Sequence, residues 1–184
     1  MILTRVDIAA DGQLAEQVRA LYREAFPKEE RLPWWLLRLN SMRKGIELTA
    51  WLDGEVFCGF TSAVTVEDFH MLLYFAVVPS LRGKGYGSAI LAALKEAYGT
   101  VALHVEPLEK TAPNYPQRLR RYSFYRRNGF ADAGWDVWEV GGRYRILASR
   151  CEPVVSAYPK AFRRLTFGLW DGRLKQAEEG EKQT

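Results

Sequence analysis

Residues 71–98, MLLYFAVVPSLRGKGYGSAILAALKEAY, constrain the fold more tightly than any other stretch of the chain. Met71 to Val78 is an uninterrupted apolar run of strand length, which predicts a buried strand. Pro79 breaks it, and Arg82 to Gly87 then read R-G-K-G-Y-G. Ile90, Leu91, Leu94 and Tyr98 follow at helical spacing. A strand, a glycine-rich loop and a helix in that order make a cradle for an anion. Glycine lets the backbone approach a ligand closely, and the first N–H groups of a helix have no partners inside it. The helix dipole adds partial positive charge there, and Arg82 and Lys84 add whole charges. Without a ligand, three alternate glycines would only weaken the start of the helix.

Three phosphate-binding patterns compete for this loop. A P-loop requires G-x-x-x-x-G-K-[ST], but Lys84 is followed by Gly85. A dinucleotide fingerprint requires G-x-G-x-x-G, but Gly83, Gly85 and Gly87 run G-x-G-x-G. The third pattern is R-x-x-G-x-G directly after V-x-P at a strand end, and Val77, Pro79, Arg82, Gly85 and Gly87 fit it. In this the chain resembles the GNAT superfamily of N-acetyltransferases, whose loop holds the pyrophosphate of coenzyme A. A second resemblance lies downstream: in F-Y-R-R-N-G-F, Tyr125 stands four residues before Gly129-Phe130, a position the family fills with tyrosine. Many family members also carry an asparagine seven residues before that tyrosine and an alanine four before it. Arg118 and Arg121 occupy those places here, and Asn114 could replace the asparagine only if its loop folds back.

Composition bounds the remainder. A chain of 184 residues predicts one domain, taken as 1–175, with 176–184 as a polar, flexible tail. The net charge of +4 suits an anionic cofactor, and without a stacking-aromatic motif it argues against nucleic acid. Cys58 and Cys151 lie far apart in apolar settings, which predicts free thiols and a reducing, cytoplasmic compartment. His70 and His104 have no ligand spacing, so no metal is expected. No apolar run approaches membrane-spanning length, and the N-terminus lacks a signal-peptide core.

Taken in order, Ile2 to Val6 reads as an edge strand, and a helix follows from Gln13 to about Ala25. Pro33 opens a second helix to Arg43 or Lys44, with Trp35, Leu36, Leu39 and Met42 as its apolar face. Strands are expected at 46–52 and 56–64, joined by Asp53-Gly54, and then at 71–78. After the cofactor-loop helix come a strand at 101–106, a helix from about Pro116 to Asn128, and a hairpin turning at Gly141-Gly142. The apolar segment 151–175 predicts a short helix from Pro159 and could cover the acceptor site or support a homodimer. The resemblance implies an α/β (α+β) fold with a mixed, mostly antiparallel sheet of six or seven strands, flanked by about four helices. It also implies that the strands at 71–78 and 101–106 splay apart to admit the pantetheine arm.

Site residues follow from the same resemblance. Arg82 through Gly87 (Gly83, Lys84, Gly85 and Tyr86 included) and Ser88 would hold coenzyme A. The main chain of Ala76 and Val77 would pair with the pantetheine and polarise the acetyl carbonyl. Tyr125 is the candidate general acid, since a phenol of ordinary pKa near 10 keeps its proton at neutral pH and can give it to a departing thiolate. Glu106, ending the strand beside the cofactor, is the first candidate base, with His104 and Glu30 as alternatives. Glu30 and Trp34, in the connection between the first two helices, are candidate acceptor contacts; each also reads as an ordinary loop residue. The implied activity is direct transfer of acetyl from acetyl-CoA to a primary amine of a small molecule or peptide. The rival reading is a non-catalytic acyl-CoA sensor or interaction module, which would need the loop but neither Tyr125 nor a base.

Overall fold

The apolar runs become eight strands and five α-helices among the residues that a computed structural model describes, 2–8, 11–139, 142–170 and 172–177. This mixed α/β architecture carries one strand and one helix more than the upper expectation. The extra strand, Leu174–Gln176, is only three residues long and too short to show a period in sequence. The flexible tail expected at 176–184 and the Gly141 half of the expected hairpin turn lie largely outside the described residues. The chain divides into two compact units, Met1–Thr65 with Leu72–Ala97, and Val66–Met71 with Tyr98–Thr184.

The first unit orders its strands β1 (Leu3–Asp7), β2 (Ile46–Asp53), β3 (Val56–Val66), β4 (Phe69–Val77), the turn-proximal ends of β3 and β4 falling in the second unit. β1 and β2 pair antiparallel with Leu3 opposite Asp53, and β2 and β3 with Ile46 opposite Val64. The β2–β3 register shifts between Trp51, opposite Gly59, and Leu52, opposite Phe57, so Cys58 is the extra residue of a bulge. Helix α1 (Gly12–Ala25) starts where the Asp11 carboxylate accepts from the N–H groups of Gln13 and Leu14, at 2.9 and 3.0 Å. It buries Val18, Leu21 and Tyr22 against Leu48, Ala50, Phe60 and Tyr74 of the strands.

Helix α2 (Trp34–Ser41) corrects the sequence reading twice. It stops short of Arg43, and its apolar stripe faces outward: Trp35, Leu39 and Met42 are 65, 46 and 77% exposed. Leu37, Asn40 and Ser41 are buried instead. Leu37 packs into the core with Val18, Leu21 and Leu48, and the Arg38 guanidinium beside it donates to the Ile8 carbonyl at 2.9 Å, which together hold the Leu37–Ser41 side inward. Helix α3 (Tyr86–Ala97) buries Ile90, Leu91 and Leu94 as its spacing predicts.

In the second unit the strand order is β5 (Thr100–Val105), β7 (Gly142–Ala148), β6 (Ala131–Glu139), β8 (Leu174–Gln176), all paired antiparallel. Helix α4 spans Tyr115–Arg127, and α5 spans Val154–Leu165. Pro159 does not begin α5 but lies inside it. Val154, Ala157, Tyr158, Ala161 and Phe162 are all buried at helical spacing, and that burial outweighs the one backbone bond a proline forfeits.

Arg145 of β7 is fully buried between Asp136, 2.5 Å from its Nε, and Asp132, 2.7 Å from a terminal nitrogen. Burying a guanidinium is tolerable only while its carboxylates stay in place. Asp136→Ala is therefore expected to lower the unfolding free energy by about 3–5 kcal/mol in urea titrations. Adding Arg145→Met should recover part of that loss, because the fully buried guanidinium is then gone and only the partly exposed Asp132 carboxylate is left without its cation.

Candidate active site

The loop of the first unit is built from the close approach of β3 and β4. The Val78 N–H donates to the Cys58 carbonyl at 2.9 Å, so Val78 faces β3. Ala76, two residues back, also faces β3, and its carbonyl abuts Gly59, where an added Cβ would lie 2.3 Å from the Ala76 oxygen. Alternation then turns the N–H and C=O of Val77 to the other edge of β4. There the Val77 carbonyl accepts from Arg82 Nε at 3.2 Å. Of the two main-chain contacts expected at 76–77, Val77 alone faces away from β3.

After a short 3-10 turn (Pro79–Leu81), Gly83 and Gly85 take φ of +77° and +89°, a region that side chains disfavour. Nothing lies within 4 Å of a Cβ built on either one, so the loop is open to a ligand. The first bond of α3 runs from Ala89 N–H to Gly85 at 3.0 Å, which leaves the N–H groups of Tyr86, Gly87 and Ser88 without partners in the helix. Arg82, Lys84 and Ser88 are exposed, and the Tyr86 hydroxyl donates to Asp53 at 3.0 Å, tethering the helix start to β2. The acceptor candidates belong to the same unit. Glu30 ends a 3-10 turn (Lys28–Glu30), and the Trp34 ring lies 6.2 Å from Tyr22.

Tyr125 and Glu106 belong to the second unit. Tyr125 is 8% exposed on α4, packed between Phe124 and Phe130 with ring centroids at 5.3 and 5.9 Å. Its hydroxyl makes no hydrogen bond among the described residues. Burial pushes its pKa up to about 12, tempered by the Arg121 charge one turn earlier. Asn114 does fold back: its amide donates to Glu106 at 3.2 Å, and its side-chain oxygen accepts from Arg118 Nε at 2.7 Å. Arg118 and Arg121 stand 2.9 and 3.4 Å from the two oxygens of Glu106, and Arg118 also donates to the Pro107 carbonyl at 2.9 Å. Arg118 thus closes the 107–114 loop over the end of β5, and Arg121 adds a second contact to Glu106. His104, by contrast, packs its ring 5.3 Å from Tyr158.

Neither thiol is an activated nucleophile: both cysteines are free, and burial pushes both pKa values up. Among the described residues no group of three or more His, Cys, Asp or Glu side chains could hold a metal. No described helix is long and apolar enough to cross a membrane.

This fold and loop define a class, the coenzyme A-dependent acyltransferase fold, and the comparisons specify it. Residues 44–132 match the model of the acetyltransferase (GNAT) domain. A Bacteroides thetaiotaomicron protein assigned to the GNAT family superposes with TM-score 0.72 at 22% identity, over 92% of this chain and 99% of that one. An aminoglycoside 6'-N-acetyltransferase solved with coenzyme A gives 0.62 at 18% identity, over 80% and 96%. A ribosomal-protein alanine N-acetyltransferase from Escherichia coli gives 0.55 at 20%, over 80% and 92%. At such identities the likeness is one of fold. No curated protein sequence matches the chain. The family supports acetyl transfer as the general chemistry.

Sequence reasoning missed Gly59, whose signal was a lone glycine inside a strand pattern. It also missed Tyr22 and Tyr74, which resemble any core aromatic until their hydroxyls are placed. Gly59→Ala drives a methyl into a backbone oxygen that cannot swing aside, and a loss of about 3 kcal/mol in unfolding free energy is expected. Tyr125 yields a pH prediction. Its folded-state pKa is raised from 10.0 to about 12, so between those values the unfolded chain releases a proton that the folded chain keeps. The stability is intact below pH 10 and falls towards pH 12. Tyr125→Phe should remove roughly 1.4 kcal/mol per pH unit from that alkaline slope, measured by urea titration.

Proposed function

We propose that residues 1–175 act as one acetyl-CoA-dependent N-acetyltransferase domain that transfers acetyl directly to a primary amine. One observation carries the reading. Within residues 77–88, a main-chain N–H turned away from β3, two positive-φ glycines and three unpartnered helix N–H groups follow one another. That succession suits a thioester carbonyl at one end and a pyrophosphate at the other. Arg82 and Lys84 would add charge along the phosphates, and the free cysteines agree with a reducing cytoplasmic setting.

In the proposed reaction the neutral amine attacks the acetyl carbonyl carbon. The C–S bond breaks, and the Val77 N–H stabilises the oxygen as charge builds on it. Tyr125 gives its proton to the departing sulfur as the C–S bond breaks, a hydroxyl free of other bonds being available for that transfer. The proton lost by nitrogen passes to Glu106 through water, and Glu106 loosens one arginine contact to take it. Glu30 and Trp34 would face the acceptor, and a carboxylate beside an indole suits a cationic amine. The relatives solved in this fold act on an aminoglycoside and on an alanine of a ribosomal protein, so both small molecules and peptides are apt screening sets.

Calorimetric titration with acetyl-CoA tests the reading: micromolar affinity is expected, weakened about tenfold or more by Arg82→Ala. Tyr125→Phe should leave that affinity unchanged and lower kcat about a hundredfold. Binding without turnover across an amine panel would instead favour the acyl-CoA sensor.

A further inference from the structure

Two buried tyrosines of the first unit hold the connection between α1 and α2 by its backbone. The Leu32 N–H donates to the Tyr74 hydroxyl at 3.1 Å, and that hydroxyl donates onward to the Glu30 carbonyl at 2.9 Å. The Tyr22 hydroxyl donates to the Leu32 carbonyl at 3.1 Å. Both polar groups of Leu32 are thus bonded to phenols, as is the carbonyl of the candidate acceptor residue Glu30. The rings beneath are fixed: Tyr22 and Tyr74 meet edge to face at 4.8 Å, and Phe26 packs 5.7 Å from Tyr22 and 5.0 Å from Tyr74. Tyr22 is 1% and Tyr74 9% exposed, whereas Pro27, Lys28, Glu29 and Pro33 of the connection are exposed. Three hydrogen bonds to such a short exposed segment are more than chain connection requires, since loops ordinarily satisfy their backbone in water. Burial holds the Tyr22 proton well above the ordinary tyrosine range, so its hydroxyl remains a donor at every working pH.

We propose that Tyr22 and Tyr74 form a latch that keeps residues 27–33 in one conformation, making them positioning residues for Glu30 and Trp34 at the acceptor site. The placement of the acceptor rests on the proposed function; the latch itself does not. Tyr74 contributes two of the three bonds and Tyr22 one, so their removal has graded effects. The Arg31–Leu32 peptide bond is a trypsin site whose N–H and following carbonyl are the latched groups. Cleavage there requires the latch to open.

Tyr74→Phe and Tyr22→Phe keep the rings and remove only the hydroxyls. Trypsin should cut Arg31–Leu32 about tenfold faster in Tyr74→Phe and less than that in Tyr22→Phe, with cleavage elsewhere unchanged. Acetyl-CoA affinity by calorimetry should stay at the wild-type value. Kanamycin, spermidine and a peptide with N-terminal alanine are the acceptor probes. For any that is acetylated, KM for the amine should rise about tenfold in Tyr74→Phe with kcat within about twofold. Unchanged cleavage overturns the latch. Faster cleavage with an unchanged amine KM overturns its positioning role and leaves the tyrosines merely structural. If none of the three amines is acetylated, the positioning claim falls with the acceptor assignment, while the cleavage rates still decide the latch and the acetyl-CoA titration decides the enzyme reading.

Discussion

The contact on which the first unit depends is the approach of β3 to β4 at Gly59. A side chain there would collide with the Ala76 carbonyl, so glycine sets how closely the two strands pair. That pairing fixes the direction of every main-chain group on β4. Because Ala76 and Val78 are turned towards β3, Val77 is turned away from it. The Cys58 bulge belongs to the same device, since it supplies the carbonyl that Val78 engages and adds local twist where the strand gives way to the loop. The glycines of the loop come second. They can present N–H groups to an anion only because the strand ahead of them ends with Val77 already aimed.

Electrostatics in the second unit follow a different economy. A phenol pushed up to about 12 is a reluctant acid, and full transfer to a thiolate of ordinary pKa near 8.5 runs uphill. Donation therefore serves the sulfur chiefly as a hydrogen bond to the negative charge that builds as the C–S bond breaks, ahead of any full transfer of the proton. The Arg121 charge works against the burial and eases that donation. Arg121 also leans on Glu106, so one cation is shared between the candidate acid and the candidate base. The two arginines that depart from the family pattern are thus integral to the local network. Arg118 and Asn114 are bonded to each other, and both hold the Glu106 carboxylate.

What could be read from the sequence was what repeats or punctuates. The strand at 71–78, the helix after the loop and the turn at Asp53-Gly54 were legible, because apolar period and turn chemistry are local properties. The positive-φ turns at Gly83 and Gly85 were legible through the spacing of the glycines. Helix α2 was misread because Trp35, Leu39 and Met42 form a convincing stripe, whereas the side that faces inward is held by Leu37 in the core and by the long-range bond from Arg38 to Ile8. Helix α5 was misread for the opposite reason: a strong local signal, Pro159, was overridden by burial on either side of it. In both cases a tertiary interaction outweighed a local preference, and no window of sequence contains it.

The same logic explains why the proposed acceptor side was harder to read than the proposed cofactor side. Coenzyme A is met mainly by backbone in this class of loop, and backbone conformation leaves a mark in sequence as glycine and proline at fixed offsets. An acceptor is met by side chains whose direction depends on partners distant in the chain. Tyr74 lies 42 residues from Leu32 and 44 from Glu30, yet its hydroxyl sets the backbone of both. Such control costs little, because most buried phenols take a hydrogen-bond partner in any case. Placing that partner in the connection rather than in the sheet converts an obligation of the core into order at the surface. It also leaves the exposed side chains between Pro27 and Pro33 free to differ without disturbing the latch, since all three of its contacts with the connection are to main chain.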